Sequence, residues 1–346
     1  VGEIALAGAA LPELERTTRP HLPRPRGPIT EALFRLLRGA PGDGQLDLRA
    51  VEDPLGDDDL QLALYCSYEL HYRGFQEVDD ELEWAPEHLA LRGPLERLLE
   101  ARLRQLTSTD GSEPSVARSL AELAADGSGP SLSRWLLEHG TLEHARELAR
   151  HRSAYQLKEA DPHTWGIPRL EGRAKAAFVE IQTDEYGNGY EPDMHASLFA
   201  GTLAALGLRP DYGAYLEWLP GSTLLTCNLI SMFGLHRRLR GALVGHLALF
   251  EMTSVVPMGR YSEWFERLGL PDAARQFYDV HVEADELHQQ VASGDLVGGL
   301  LEAEPWLASD VLFGARALAL VEAAMSRQLL RSWQDGTSSL LAGCPG

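Results

Sequence analysis

"HVEADELHQQV", residues His281–Val291, places two histidines and an aspartate, His281, Asp285 and His288, at steps of four and three. At about 100° per residue these steps turn about 40° forward and about 60° back, so all three side chains leave one face of a helix. A solvated polar stripe on an acidic protein is the bland account of such a pattern. A row of metal ligands is the sharp one. The remaining sequence has to discriminate between them.

The chain has 346 residues with 44% hydrophobic and 24% charged content, a globular composition large enough to bury a substantial core. Its formal net charge of −20 argues against nucleic acid or an anionic membrane as the main partner. The most apolar run, "GALVGHLALFEMTSVV", contains His246 and Glu251 and is too short to span a bilayer. The opening "VGEIALAGAA" lacks the basic segment of a secretory signal. Cys66, Cys227 and Cys344 show neither metal nor redox spacing, and free thiols of a cytoplasmic protein are expected.

Helical periodicity dominates. "ITEALFRLLRGA" ends in a Pro-Gly stop, and "GPLERLLEARLRQLT" sets Leu95, Leu98, Leu99 and Leu103 on one side. Strand alternation and fixed-period repeats are not evident, so an all-α fold is expected. "TTRPHLPRPRGP" predicts an extended arm over residues 1–28, and the loop-rich compositions of residues 107–115 and 126–131 divide a helical region, 29–125, from a core, 126–346.

Within that core, charge sits where apolar residues are expected. Glu251 lies in "LALFEMTSVV" without a neighbouring cation; buried alone, its carboxylate would cost several kcal/mol or take up a proton. A metal ion removes the problem, as would an exposed stripe or a buried arginine. "VEIQTDEYGNGYEPDMHASLFA" carries Glu180, Asp184, Glu185, Glu191, Asp193 and His195. Glu185 and His195 would be about 15 Å apart along an unbroken helix. Gly187, Gly189 and Pro192 break that helix and let the chain fold back. Glu191, one turn before His195, is the rival ligand. Upstream, "AYQLKEADPHTWGIPRL" offers Glu159, which is also read readily as a surface residue beside Lys158. Three helical segments projecting carboxylates and histidines match the way helical bundles build dinuclear iron or manganese sites, and a thiolate-free donor set suits those metals.

On these residues, H-x3-D-x2-H with an upstream helical Glu and an earlier Glu…His pair, the chain resembles the haem-oxygenase-like diiron oxidases and oxygenases, in the branch of iron-containing redox enzymes. The likeness covers about residues 150–300. It implies a seven-helix core holding two irons rather than haem, behind an added N-terminal helical region. It implies Glu185 and His195 as ligands of one iron, Glu251 as a bridging or shared carboxylate, and His281, Asp285 and His288 as ligands from the third segment. Glu159 matches an additional carboxylate of some members. Members that oxygenate nitrogen add a carboxylate three residues before the second-segment histidine; Pro192 stands there in this chain.

The implied chemistry is activation of O2 as co-substrate, with N-oxygenation of an amine or amidine in specialised metabolism first, and oxidative C–C cleavage or decarboxylation of an amino or fatty acid second. A helical metal-binding or scaffold protein is the non-enzymatic alternative. A small-molecule substrate and an external electron donor are the expected partners, and a homodimer is open to the chain. Arg316 is the substrate-binding candidate, on one face with Phe313 and Leu320, against an ordinary salt bridge to Glu322. Tyr155, Trp165, Phe199, Trp218 and Phe233 are candidates for a pocket wall or plain core.

Asp279, Glu283, Asp285 and Glu286 fall within eight residues and repel one another without a cation. Residues of about 275–295 are therefore expected to gain order on iron loading. Hydrogen exchange with and without anaerobic Fe(II) checks this; equal protection in both states would show that apolar packing alone holds the segment.

Overall fold

The computed structural model describes residues 19–40, 47–108, 115–126, 129 and 131–345, apart from the side chains of Asp285 and Glu286. Among them the regular structure is helical: α1 (Pro28–Leu37), α2 (Asp58–Glu69), α3 (Pro86–Thr107), α4 (Val116–Ala125), α5 (Leu132–His139), α6 (Leu142–Gln156), α7 (Asp161–Thr164), α8 (Gly172–Glu185), α9 (His195–Ala205), α10 (Gly221–Leu235), α11 (Arg240–Arg267), α12 (Asp272–Gln290), α13 (Val297–Ala303) and α14 (Ala308–Gln334). The all-α expectation holds. Residues 1–18 of the expected arm and most of the two expected loops lie outside the described residues. What is described of the arm is irregular and docked: Arg26 donates to the Leu216 and Glu217 carbonyls.

The helices begin where the sequence supplies caps. Asp57, Ser115, Ser131 and Thr141 each accept a backbone N–H from the first turn of α2, α4, α5 and α6. Pro at the first turn of α1, α3 and α7 costs no hydrogen bond there.

The long helices α11 and α14 cross at the centre. A Cβ on Gly245 would overlap the Val311 carbonyl, and one on Gly314 would overlap the Ala242 carbonyl. Only glycine lets these backbones touch, and the contact fixes the register of the α11 residues that follow, from His246 to Glu251. Helix α12 packs on α9 and α11, and the chain continues from it through a π-helical segment, Val291–Leu296. That irregular turn directly follows the histidine-bearing helix, a common setting for π-bulges.

The apolar run around Glu251 belongs to a helical stretch, Arg237–Arg267, that is longer than the run itself and apolar enough to cross a membrane by length and composition. Most of its apolar window is buried within the protein, as in the core helix of a globular bundle. Helix α2 packs against α10, and one buried apolar cluster runs from Leu33 through Leu62 and Leu243 to Trp333, so the N-terminal helices share the core of the rest.

His88 on α3 is fully buried with neither ring nitrogen hydrogen-bonded. Burial, helped by nearby Arg92 and His71, lowers its pKa from 6.5 to about 4. The unfolded chain therefore binds this proton below pH 6.5 and the folded chain does not until about pH 4, so stability falls as pH falls through that window. His88→Leu should remove about 2 kcal/mol of the stability lost between pH 7 and pH 5. Urea unfolding of both proteins at the two pH values measures this; an unchanged difference would mean that His88 is not held neutral.

Candidate metal centre

Four helices and one interhelical turn meet around a small cavity. Glu159 comes from the turn between α6 and α7, Glu185 from the last residue of α8, His195 from the first of α9, Glu251 from the middle of α11, and His281 and His288 from α12. The ligand-type atoms form two groups, each within 4.8 Å: Glu159, Glu185, His195 and His281 in one, and Glu185, Glu251 and His288 in the other. Glu185 is the carboxylate common to both, a place the sequence expectation gave to Glu251. The Asp285 side chain lies outside the described residues.

The reversal that brings Glu185 to His195 is built from backbone conformation. Gly187, Asn188 and Gly189 all have positive φ, and a Cβ on Gly187 would collide with the backbone at Asp193 and Met194. Glu191 falls in the following 3-10 turn, Glu191–Asp193, and is exposed, so it does not share a helix with His195. The α8 end is tied to the Glu159 turn by Gln182, which donates to the Ala160 carbonyl at 2.9 Å and Thr164 at 2.7 Å. Tyr186 adds a bond to Asp161 at 2.8 Å. These bonds hold Glu159 and Glu185 across from each other.

Glu159 is not a surface residue beside Lys158. It is 4% exposed, because Lys158 turns away to bond Glu69 on α2 at 2.8 Å, among the rings of Tyr65, Tyr72 and Tyr212.

Each histidine presents one nitrogen inward. His281 Nδ1 donates to the Phe277 carbonyl at 2.7 Å, leaving Nε2 toward Glu159, 3.5 Å from its oxygen. His288 donates from Nε2 to Asp184 at 3.0 Å, which turns Nδ1 toward Glu251, 3.4 Å away. Such outer hydrogen bonds fix the tautomer and orientation of metal-binding imidazoles. The rings of His195 and His281 lie 4.2 Å apart.

The atoms between these groups are short of hydrogen bonds. His195 Nδ1 and Glu185 Oε2 approach to 2.8 Å, yet the contact is misaligned and neither atom makes a hydrogen bond. Neither oxygen of Glu159 makes one either. Buried polar atoms are rarely left this way. Carboxylate and imidazole lone pairs that converge in this way fit a cation, and the mixed carboxylate–imidazole set fits iron.

The electrostatics agree. Burial is the largest influence on Glu159 and raises its carboxyl above the ordinary range, against the pull of His281. Burial acts the same way on Glu185, but His195, His281 and His288 outweigh it and hold that carboxyl at about 2. Burial opposes the charged form of His288, while Glu251, Asp184 and Glu185 together lift it to about 9. The carboxylates therefore draw positive charge into the site, which protons supply when metal does not.

The cavity they enclose has room for about one water molecule, 10 Å3, with Tyr155, Ala160, His163, Leu247 and Phe250 completing its wall. Of the expected aromatic residues, Tyr155 is there; Trp165, Phe199, Trp218 and Phe233 are not among the lining residues. Arg316 is half-buried on α14 and lines neither this cavity nor a second one beside it. Glu322 instead holds Arg152 at 2.8 Å, and that pair lines the second cavity. Asp184, Arg152 and His163 had no assigned role in the sequence. Asp184 was visible only as a carboxylate next to Glu185.

Compared with known proteins, residues 146–323, just over half of the chain, match the model of the iron-containing redox enzymes. This chain belongs to that family. Its all-α fold is the haem-oxygenase-like one expected from the sequence. A relative, the nitrosourea synthase of Streptomyces achromogenes subsp. streptozoticus, is 28% identical over 148 residues, or 42% of this chain. The matched stretch spans 31% of that synthase's own length. Family membership makes the chain an iron-containing oxidoreductase, and it accounts for a carboxylate–histidine cluster without thiolates.

Glu185→Ala should lower iron binding at both groups, whereas Glu191→Ala should leave stoichiometry unchanged. Anaerobic Fe(II) titration of the two variants reads this; loss of iron in the Glu191 variant alone would reverse the assignment.

Proposed function

We propose that this protein is a non-haem diiron oxygenase that uses O2 to oxygenate the nitrogen of an amine- or amidine-type small molecule. One observation carries the reading: Glu185 belongs to two ligand groups at once, as a carboxylate shared between two ions must. The relative named nitrosourea synthase supports nitrogen as the target. Glu159, His195 and His281 would hold one ion, Glu251 and His288 the other, with Asp285 as a further ligand from α12. Ferrous ions held there would supply electrons and open coordination positions for O2. The proposed overall change inserts one oxygen atom into an N–H bond, and the other leaves as water with two electrons from an external donor and two protons.

The protein's part is placement. Leu247 and Phe250 line the cavity with apolar surface and limit water. Burial, reinforced by Glu159, Glu185 and Glu251, keeps the Tyr155 phenol well above its usual pKa, so it stays protonated and able to donate a hydrogen bond in the cavity. With room for about one water, the cavity admits a substrate only by local opening, and the π-helical turn that follows α12 is one irregular element beside the ligands.

Anaerobic titration should bind two Fe(II) per chain, and exposure to oxygen should give a transient visible absorbance that decays faster with a true substrate. His288→Ala should weaken one site more than the other. Product analysis then separates N–O bond formation from C–C cleavage. Binding of a single iron, or oxygen consumption without a transient, would rule the diiron reading out.

A further inference from the structure

His163 and His246 are interior, at 2% and 1% exposure, and belong to neither ligand group found among the described residues. His163 Nε2 and His246 Nδ1 lie 3.3 Å apart and share one hydrogen bond. Their positions differ in one telling respect: His163 lines the metal-side cavity and His246 lines the second cavity. Tyr155 and Phe250 form the wall common to both cavities. The hydrogen bond between the imidazoles therefore links two spaces that apolar and aromatic side chains otherwise divide.

The second cavity also has room for about one water, 10 Å3, and carries the Arg152–Glu322 pair at its edge. The Glu322 side chain is 28% exposed, so this cavity reaches toward solvent on that side. The metal-side cavity is bounded instead by buried ligand-type residues and apolar side chains.

We propose that His163 and His246 form a proton relay from the second cavity to the metal-side cavity. This rests on the oxygenase reading, whose balance consumes two protons per N–O bond. In the delivering state, His246 carries its proton on Nδ1 and donates it to His163 Nε2, and His163 carries its own proton on Nδ1, the nitrogen not engaged by His246. A water in the second cavity gives a proton to His246 Nε2. The Nδ1 proton of His246 crosses to His163 Nε2, and the Nδ1 proton of His163 passes into the metal-side cavity. Three N–H or O–H bonds break and three form, one proton is moved, and both rings end as the other tautomer. This passage delivers one proton, and the next follows once proton exchange with water has restored the Nδ1–H tautomer of both rings.

A relay of this kind needs neutral rings, since a fixed charge on either would block the exchange. Burial holds the pKa of His163 at about 4, against a smaller pull from Glu185, and burial together with His163 holds that of His246 well below its usual value. His246 is also stacked on Phe250, 6.0 Å between centroids at 12°, which keeps its plane aligned with the cavity wall. A pair serving packing alone has no reason to open on a different cavity at each end.

Two measurements on the full chain test this. In the iron-free protein labelled with 15N-histidine, NMR should show one proton shared between His163 Nε2 and His246 Nδ1, with a coupling across the bond. Absence of that coupling overturns the relay whatever the iron chemistry. In the iron-loaded protein, His246→Phe and His163→Phe should each slow the single-turnover oxygen-dependent step by about 100-fold, the lower range of proton-transfer contributions. The double variant should be no slower than either single one, the solvent isotope effect should fall, and iron stoichiometry should stay at its unaltered value. A full rate in either variant, or additive losses in the double, overturns the proposal. Failure of the unaltered protein to bind iron or consume oxygen overturns the oxygenase reading instead, and the NMR result keeps the two failures apart.

Discussion

Buried carboxylates are the constraint on which this structure turns. Glu159, Glu185 and Glu251 sit inside an apolar helical bundle, and an ionised carboxylate there is several kcal/mol out of balance unless positive charge accompanies it. The bundle meets the demand with imidazoles, two of them, His281 and His288, oriented by a hydrogen bond on the far side. That solution is incomplete: the closest pair, His195 and Glu185, is near but misaligned. The geometry favours a common centre between the groups over pairing of one with another, and the other local features serve that convergence. They are the positive-φ turn after α8, the bonds from Gln182 and Tyr186, and the outer contacts of His281 and His288.

Much of this was legible in the sequence, for a definite reason. The ligands on α12 repeat at helical spacing, Glu251 interrupts an apolar run, and Gly187, Gly189 and Pro192 announce a chain reversal between Glu185 and His195. Each of these signals is local, either a period or a residue in an unsuitable neighbourhood. What stayed hidden depends on partners remote in the chain. Whether Glu159 is buried depends on Lys158 finding Glu69, 89 residues upstream. Arg152, rather than Arg316, meets a cavity because of how α6 lies against α14. His163 and His246, 83 residues apart, become a pair only when α7 meets α11. Sharing of Glu185 between the two groups is likewise a matter of three-dimensional placement that helical periodicity does not encode.

The long-helix crossing sets the scale on which the site is held. Because Gly245 and Gly314 bring two backbones into contact, α11 has little freedom to slide along α14, and His246, Leu247, Phe250 and Glu251 inherit that rigidity. On the opposite side, α12 leads into a π-helical turn and contributes His281 and His288. One wall of the site is thus anchored by backbone contact and the other by side-chain packing.

The ion pair between Lys158 and Glu69 has a consequence for the reach of the catalytic unit. Helix α2 lies outside the span matched by the family, yet its Glu69 captures the lysine adjacent to Glu159 and closes it within a box of tyrosine rings. Tyr212 bonds the same carboxylate at 2.7 Å and 2.8 Å, so a loop from the later half of the chain is fastened at the same point. The N-terminal helices are thereby a buttress rather than an appendage. A chain trimmed to the family span would retain Glu159 but lose the clamp that keeps its neighbour from competing for it.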